Sequence, residues 1–271
     1  MQEFSVLMSV YIKERVEYFN ECIESVLKQT VVPSEIVIVE DGPISEELYN
    51  SIENYKNKYP SIFKTVVLEN NRGLGPALAE GLLHCSFDLV ARMDTDDICV
   101  NNRFEKQLDE FSRKPDLDIC GSHIKEFDKT IDNIISERKV PLKHEDIAEY
   151  QKKRSAVNHV TVMYKKSAVI KAGNYSNAPL MEDDVLWINM LINGSIFMNI
   201  DDYLVYARTG NEMIERRGSF NYLKKYIYGR KIILKTGYIS YWDYLVTILG
   251  QTIVALVPVK LRKLIFIKLL R

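Results

Sequence analysis

Residues 89–97 read Leu-Val-Ala-Arg-Met-Asp-Thr-Asp-Asp, an apolar run that passes without a break into three acids within four positions. Residues 89–93 have the length and composition of a buried strand, so Asp94-Thr95-Asp96-Asp97 falls at its carboxyl end. Ligands of open α/β sheets bind outside the carboxyl ends of the strands. Three carboxylates gathered there concentrate charge that must be solvated or neutralised, and a hard divalent cation such as Mg²⁺ or Mn²⁺ does this well. The same four residues also fit a solvated turn with a helix cap. Their surroundings decide between the two.

Upstream, short β-branched runs alternate with amphipathic stretches. Strands are expected at 4–11, 36–39 and 64–68, and helices at 17–30, 45–58 and 76–85. In the first helix Phe19, Ile23, Val26 and Leu27 fall at helical spacing, and Pro33 lies shortly past its end; in the second, Leu48, Ile52 and Tyr55 share a face. Pro76 suits a first helical position directly after Gly73 and Gly75. Downstream, Phe104, Leu108 and Phe111 mark a helix at 102–113, followed by a strand at 117–121. This alternation argues for βαβ units and an α/β class, with a mostly parallel, Rossmann-like central sheet flanked by helices. Beyond residue 121 the pattern loosens, with strands expected at 160–164 and 196–200 and a helix at 184–192.

A chain of 271 residues buries a substantial core without staples. Cys22, Cys85, Cys99 and Cys120 show no CxxC or Cys/His spacing, so neither a zinc site nor a disulfide framework is expected, and a reducing cytoplasm is the simplest setting. The first residues read as a strand, and no signal peptide is expected. The formal net charge of −1 hides a polarity: residues 216–271 carry twelve Lys/Arg against one acid, Asp243. An acidic body with a basic tail suits an anionic surface, nucleic acid or lipid. Within the tail, residues 245–259 are apolar but interrupted by Gly250, Gln251 and Pro258, and fall short of the roughly twenty residues that span a bilayer. Residues 260–271 mix Lys/Arg with bulky apolar side chains, as an interfacial helix on anionic lipid would, or as an appendage packed on the body or on a second copy.

Three further constellations bear on chemistry. The loop Asn70-Asn71-Arg72-Gly73-Leu74-Gly75 supplies backbone N–H groups and a guanidinium beside a helix N-terminus, which suits a diphosphate. It is neither GxGxxG nor a P-loop, which argues against dinucleotide and P-loop triphosphate binding. Met181-Glu182-Asp183-Asp184 is either an acidic first turn favoured by the helix dipole or a source of a carboxylate base. His159 is either a hydrogen-bonded structural histidine or a contact to donor phosphates or acceptor. Arg208, Arg216 and Arg217 either clamp a diphosphate or face lipid.

Ser9-Val10-Tyr11, Glu40-Asp41-Gly42-Pro43, Asn71-Arg72-Gly73-Leu74-Gly75, Asp94-Thr95-Asp96-Asp97, His159-Val160-Thr161-Val162-Met163 and Glu182-Asp183-Asp184-Val185-Leu186-Trp187 occur in the order seen in family 2 glycosyltransferases. The chain resembles that family over nearly its whole length, and is most similar to the branch that builds bacterial capsules and exopolysaccharides, of the amylovoran type. The resemblance implies a GT-A fold over residues 1–215, with a nucleotide-binding half to about 121 and an acceptor half over 122–215. Residues 216–271 would form a helical membrane-proximal extension.

The resemblance also implies roles. Tyr11 and Asp41 would hold the base of a nucleotide-sugar donor, with Glu14 nearby; Arg72, Gly73 and Thr95 belong to the same donor site. Asp94 would reach the ribose or share a metal, Mn²⁺ or Mg²⁺, of which Asp96 is the principal ligand. Asp97 either caps the next helix or orients its neighbour. Asp183 would act as general base beside Glu182. The expected reaction moves a sugar, with inversion, from a UDP-sugar to a lipid-linked glycan in surface polysaccharide biosynthesis. The setting would be the cytoplasmic face of the cell membrane, with no nucleic-acid partner and a homo-oligomer through the C-terminal helices conceivable. A sugar-1-phosphate nucleotidyltransferase shares the sheet and the acids but wants a glycine-rich basic loop after the first strand, where this chain reads Tyr11-Ile12-Lys13-Glu14-Arg15-Val16. A phosphatase would carry its DxD after the first strand. A binding module without turnover would not need both the metal acids and Asp183.

Overall fold

The computed structural model describes residues 2–209, 218–259 and 262. Its first half follows the βαβ alternation. Strands β1 (Phe4–Val10), β2 (Glu35–Asp41), β3 (Phe63–Leu68) and β4 (Leu89–Arg92) pair in parallel in the order β3-β2-β1-β4. Helices α1 (Val16–Leu27), α2 (Glu46–Lys58) and α3 (Leu74–His84) connect them. Side chains alternate along each strand and divide the core in two. Phe4, Val6, Met8, Ile36 and Ile38 pack on α1 and α2, whereas Leu7, Val37 and Val39 face α3.

Local chemistry sets the helix starts. Ser45 caps α2, its Oγ accepting from Leu48 N. Helix α3 opens at Leu74, two residues before the expected start, so Pro76 is its third residue rather than its first. The missing N–H costs nothing there, because first-turn N–H groups have no intrahelical acceptor. Gly81 lets α3 lie directly on the sheet: a Cβ there would meet Val39 Cγ2 at 2.4 Å.

The second half departs more from the sequence pattern. Two residues after the acids at 94–97 form a short strand, β5 (Ile98–Cys99), followed by α4 (Arg103–Arg113). The strand expected at 117–121 continues to Phe127 as β6 (Leu117–Phe127), with β7 (Ile134–Arg138) on its edge. The strand expected at 160–164 is half a turn: His159–Thr161 form a 3₁₀ helix, and β8 covers Met163–Lys165. Thr161 Oγ1 donates to Asn158 O and accepts from Ser122 N, local bonds that compete with a ladder. Short helices α5 (His144–Gln151) and α6 (Lys166–Lys171) precede α7 (Glu182–Ile192), and β9 (Ile196–Arg208) runs far beyond the expected residue 200. The sheet continues as β4-β8-β6-β9-β5, with β8 and β5 antiparallel to their neighbours and β6 parallel to β9.

After Arg208 come α8 (Phe220–Lys235) and α9 (Tyr241–Leu256). Ile233 and Ile239 pack with Ala178, Met181, Val185 and Ile188, so α8 lies against α7 and the loop before it. A Cβ on Gly229 would meet Met181 Cγ at 2.4 Å. Helix α9 buries none of its residues; Trp242 is 72% and Leu256 80% exposed. Among the described residues, no helix is long and apolar enough to cross a membrane.

Candidate active site

The carboxyl ends of β1, β2 and β4 open onto a cavity of about 700 Å³. It is lined by Tyr11, Glu14, Asp41, Arg72, Gly73, Asp94, Thr95 and Asp96 from the first half, and by residues 176–180 and Glu182 from the second. Topology explains the convergence. Parallel strands end on the same side, and the loop before α7 is pressed against the start of α3, where a Cβ on Gly75 would meet Ser176 O at 2.5 Å.

One carboxylate oxygen from each of Asp94, Asp96 and Asp97 falls within 4.8 Å of the others. Burial, with Asp94 and then Glu14 nearby, raises the Asp96 carboxyl to about 7. Burial, then Asp96 and Asp94, pushes Asp97 well above the usual carboxylate range. Asp97 is not a free ligand: its Oδ1 accepts the backbone N–H of Arg208 at 2.7 Å and ties the loop to the end of β9. Asp94 Oδ1 accepts from Arg92 Nη2, and the Asp94 carbonyl accepts from the Cys22 thiol. Glu14 Oε2 accepts from Thr95 Oγ1, and its carboxyl is raised chiefly by burial.

The loop at 70–75 corrects an expectation. Its backbone N–H groups at Arg72 and Gly73 donate to Asp41 Oδ1 and Oδ2, at 2.7 and 3.0 Å, so the anion cradle is filled from within. Asp41 is buried and places the loop, while the Arg72 side chain remains on the cavity wall. The approach is tight enough to need glycine: Gly42 has φ +82°, and a Cβ there would meet Asn71 N at 2.5 Å.

Across the cavity, Glu182, Asp183 and Asp184 form the first turn of α7. Glu182 lines the cavity; Asp183, half-buried beside it, is not among the lining residues. Burial, then Asp184 and Glu182, raises the Asp183 carboxyl well above its ordinary value. Asp184 Oδ1 accepts from Gln151 Nε2 at 2.7 Å.

Residues 5–172 match the family model of Glycosyl transferase family 2. The chain belongs to that family. Two relatives match nearly end to end. The amylovoran biosynthesis glycosyltransferase AmsE of Erwinia amylovora is 38% identical and covers 98% of each chain. The UDP-Gal:alpha-D-GlcNAc-diphosphoundecaprenol beta-1,3-galactosyltransferase of Escherichia coli is 38% identical, over 99% of this chain and 97% of that one. Among solved structures, Pyrobaculum calidifontis mannosyltransferase PcManGT in complex with GDP-Man and Mn²⁺ has a TM-score of 0.65 at 11% identity, covering 92% of this chain and 69% of that one. S. aureus TarS has a TM-score of 0.63 at 18% identity; the match covers 94% of this chain but only 43% of TarS. These two likenesses concern the fold, which is GT-A. The protein is therefore a glycosyltransferase enzyme, which sets aside the nucleotidyltransferase, phosphatase and binding-module readings.

The glycosyltransferase uses two expected contacts differently. Arg208 lies between the rings of Tyr18 and Phe127, its carbon Cζ 3.9 and 4.5 Å from their centroids. Its guanidinium donates to the carbonyls of Asp96 and Lys129 and to Glu21, so it buttresses the 94–97 loop from behind instead of lining the cavity. His159 Nε2 meets the Tyr175 hydroxyl at 3.0 Å, which in turn donates to Tyr164, and the ring packs on Trp187. Burial, then Arg92, lowers its pKa well below the ordinary value and keeps it neutral. That is the structural alternative. Arg216 and Arg217 lie outside the described residues.

Sequence reasoning missed Lys13, Arg15, Tyr18 and the 176–180 segment on the cavity wall. Lys13 and Arg15 follow the first strand and were legible by position; the 176–180 segment carries no motif. Leu180, at φ +73°, is a non-glycine residue held in the left-handed region beside the site. The oxygen-only donor set at 94–97, with carboxyls raised by burial and mutual repulsion, fits a hard divalent cation.

Proposed function

We propose that the cavity binds a UDP-sugar and that the enzyme transfers the sugar, with inversion, to a lipid-linked glycan diphosphate in surface polysaccharide assembly. The observation that carries this reading is the sharing of one cavity by Asp94 and Asp96, the Asp41–Arg72 wall and Glu182 at the start of α7. The donor and acceptor classes follow the name of the Escherichia coli relative, which spans nearly all of this chain.

Asp94 and Asp96 would hold Mn²⁺ or Mg²⁺, which when bound supplies Lewis acidity to a departing diphosphate. Tyr11 and Asp41 border the base, and Arg72 offers its charge to the donor. Asp183 takes the proton of the acceptor hydroxyl as the acceptor oxygen bonds to the anomeric carbon. The bond from that carbon to the phosphate oxygen breaks, and the nucleoside diphosphate leaves with the electron pair. Burial and two flanking acids raise the proton affinity of Asp183, which favours the role of base. A single displacement inverts the anomeric centre.

Residues 1–215 form the catalytic unit in this reading, and residues 216–271 bring it to the cytoplasmic face of the membrane, where the acceptor lipid is held. On α9, Trp242, Leu245, Leu249 and Ile253 fall at helical spacing and are exposed, within a segment rich in Lys and Arg. A panel of sugar nucleotides tested with a sugar-diphosphate-polyprenol acceptor and Mn²⁺ should yield transfer from one UDP-sugar, with inversion seen by NMR of the product. Absence of transfer from every UDP-sugar, with transfer from another nucleotide, would refute the donor assignment.

A further inference from the structure

Arg92 ends β4 with its side chain 2% exposed. Its backbone is held on both sides: Arg92 N donates to Val162 O at 2.8 Å, and its carbonyl accepts from Arg103 Nη2 at 2.8 Å. Strand alternation places its side chain on the same face as Val90, the face covered by α3 and α7. Nη2 donates to Asp94 Oδ1, whereas Nε and Nη1 are buried without a partner. A buried guanidinium with idle donors is costly, and an apolar side chain would serve packing better. Its charge acts on acids from both sides of the cavity: Asp94, Asp96 and Asp97 on one, Glu182 and Asp183 on the other.

We propose that Arg92 is a positioning residue of the transfer reaction, whose Nη2, fixed on a buried planar guanidinium, holds Oδ1 of Asp94 so that the carboxylate keeps the orientation that receives the divalent cation. Its buried charge offsets both acid runs. The inference rests on the reading of Asp94 as a cation ligand. Lysine supplies a point charge but not a donor fixed on a rigid plane, so charge and positioning separate by substitution.

Mn²⁺ binding to the donor-free protein, followed by electron paramagnetic resonance, tests this without turnover. Arg92→Lys is expected to raise the Mn²⁺ dissociation constant about tenfold, the lower end of what an outer-shell partner contributes. It should raise KM for the donor at limiting Mn²⁺ and recover kcat at saturating Mn²⁺; a merely structural role would lower the melting temperature and leave Mn²⁺ affinity alone. In an Asp94→Asn background the same substitution should change Mn²⁺ affinity less than twofold, because the carboxylate it acts through is gone. Arg92→Gln, which keeps a planar donor without charge, serves as the second variant. Wild-type Mn²⁺ affinity in folded Arg92→Lys, or independent effects of the two substitutions, overturns the assignment. Failure of both single variants to fold makes Arg92 structural and overturns it too. If the wild type itself binds no Mn²⁺, the cation reading falls and this inference with it. Wild-type binding with an unaffected Arg92→Lys removes this inference alone.

Discussion

Two runs of three acids, at 94–97 and 182–184, reach one cavity through Asp94, Asp96 and Glu182, and they differ in the backbone that carries them. The first leaves a strand as a loop and has no helix end to soothe it. Arg92 and the Arg208 N–H meet part of its charge, and its carboxylate oxygens lie close enough together to suit a cation. The second sits in the first turn of α7, where the helix dipole favours negative charge. In each run the last acid is tied down, Asp97 to Arg208 and Asp184 to Gln151, and in the first run Asp94 is held by Arg92 as well. In the function proposed, like composition serves as a cation site in one place and as a base in the other.

The largest effect expected is on the first run. Asp96→Ala should reduce kcat/KM at least about a thousandfold, since the developing charge on the diphosphate loses its counter-ion, a loss of several kcal/mol. Mn²⁺-dependent UDP binding, followed by calorimetry, should disappear with it. On the second run, Asp183→Asn should lower kcat by about 10²–10⁴ while UDP binding stays within twofold of wild type. If Asp183→Asn turns over normally and Glu182→Gln does not, the base is Glu182, which is the one that lines the cavity.

A third measurement separates the runs by pH. The Asp96 carboxyl is raised to about 7, so the fold favours its protonated form. The stability this contributes is full below its unfolded value, about 4, and is lost as pH rises through about 7. A bound cation replaces the proton, so added Mn²⁺ should raise the melting temperature more at pH 7.5 than at pH 5.5. An equal rise at both would deny that Asp96 is a ligand. The smallest effect belongs to the tether of the second run. Gln151 also accepts the Ala156 N–H, so Gln151→Ala should cost about 1–3 kcal/mol in a denaturant melt with kcat changed less than twofold.

Much of this was legible residue by residue. The spacing of Phe19, Ile23 and Val26 on α1 and the β-branched run of β2 are local patterns, and local periodicity reports them. So is the placement of Asp94 and Asp96 after a strand. Residues 122–209 were less legible because their strands gain stability from distant pairing: β6 and β9 lengthen against each other, and neither extension carries a clean alternation of its own. The 3₁₀ helix at His159–Thr161 follows from side-chain bonds to Ser122, which no window around residue 160 contains.

From its residues alone the chain is an α/β protein with a parallel first half, acids at a strand end and a second acidic run opening a helix, in the order of a family 2 glycosyltransferase. Tertiary structure alone decided how the charges are spent. Asp41 fills the N–H groups of the 72–73 loop, Arg208 turns its guanidinium to the back of residues 96–97, and Arg92 lies buried against Asp94. The physical reason is that a polar group's role depends on which partner reaches it once water is excluded. For Asp97 that partner stands 111 residues away.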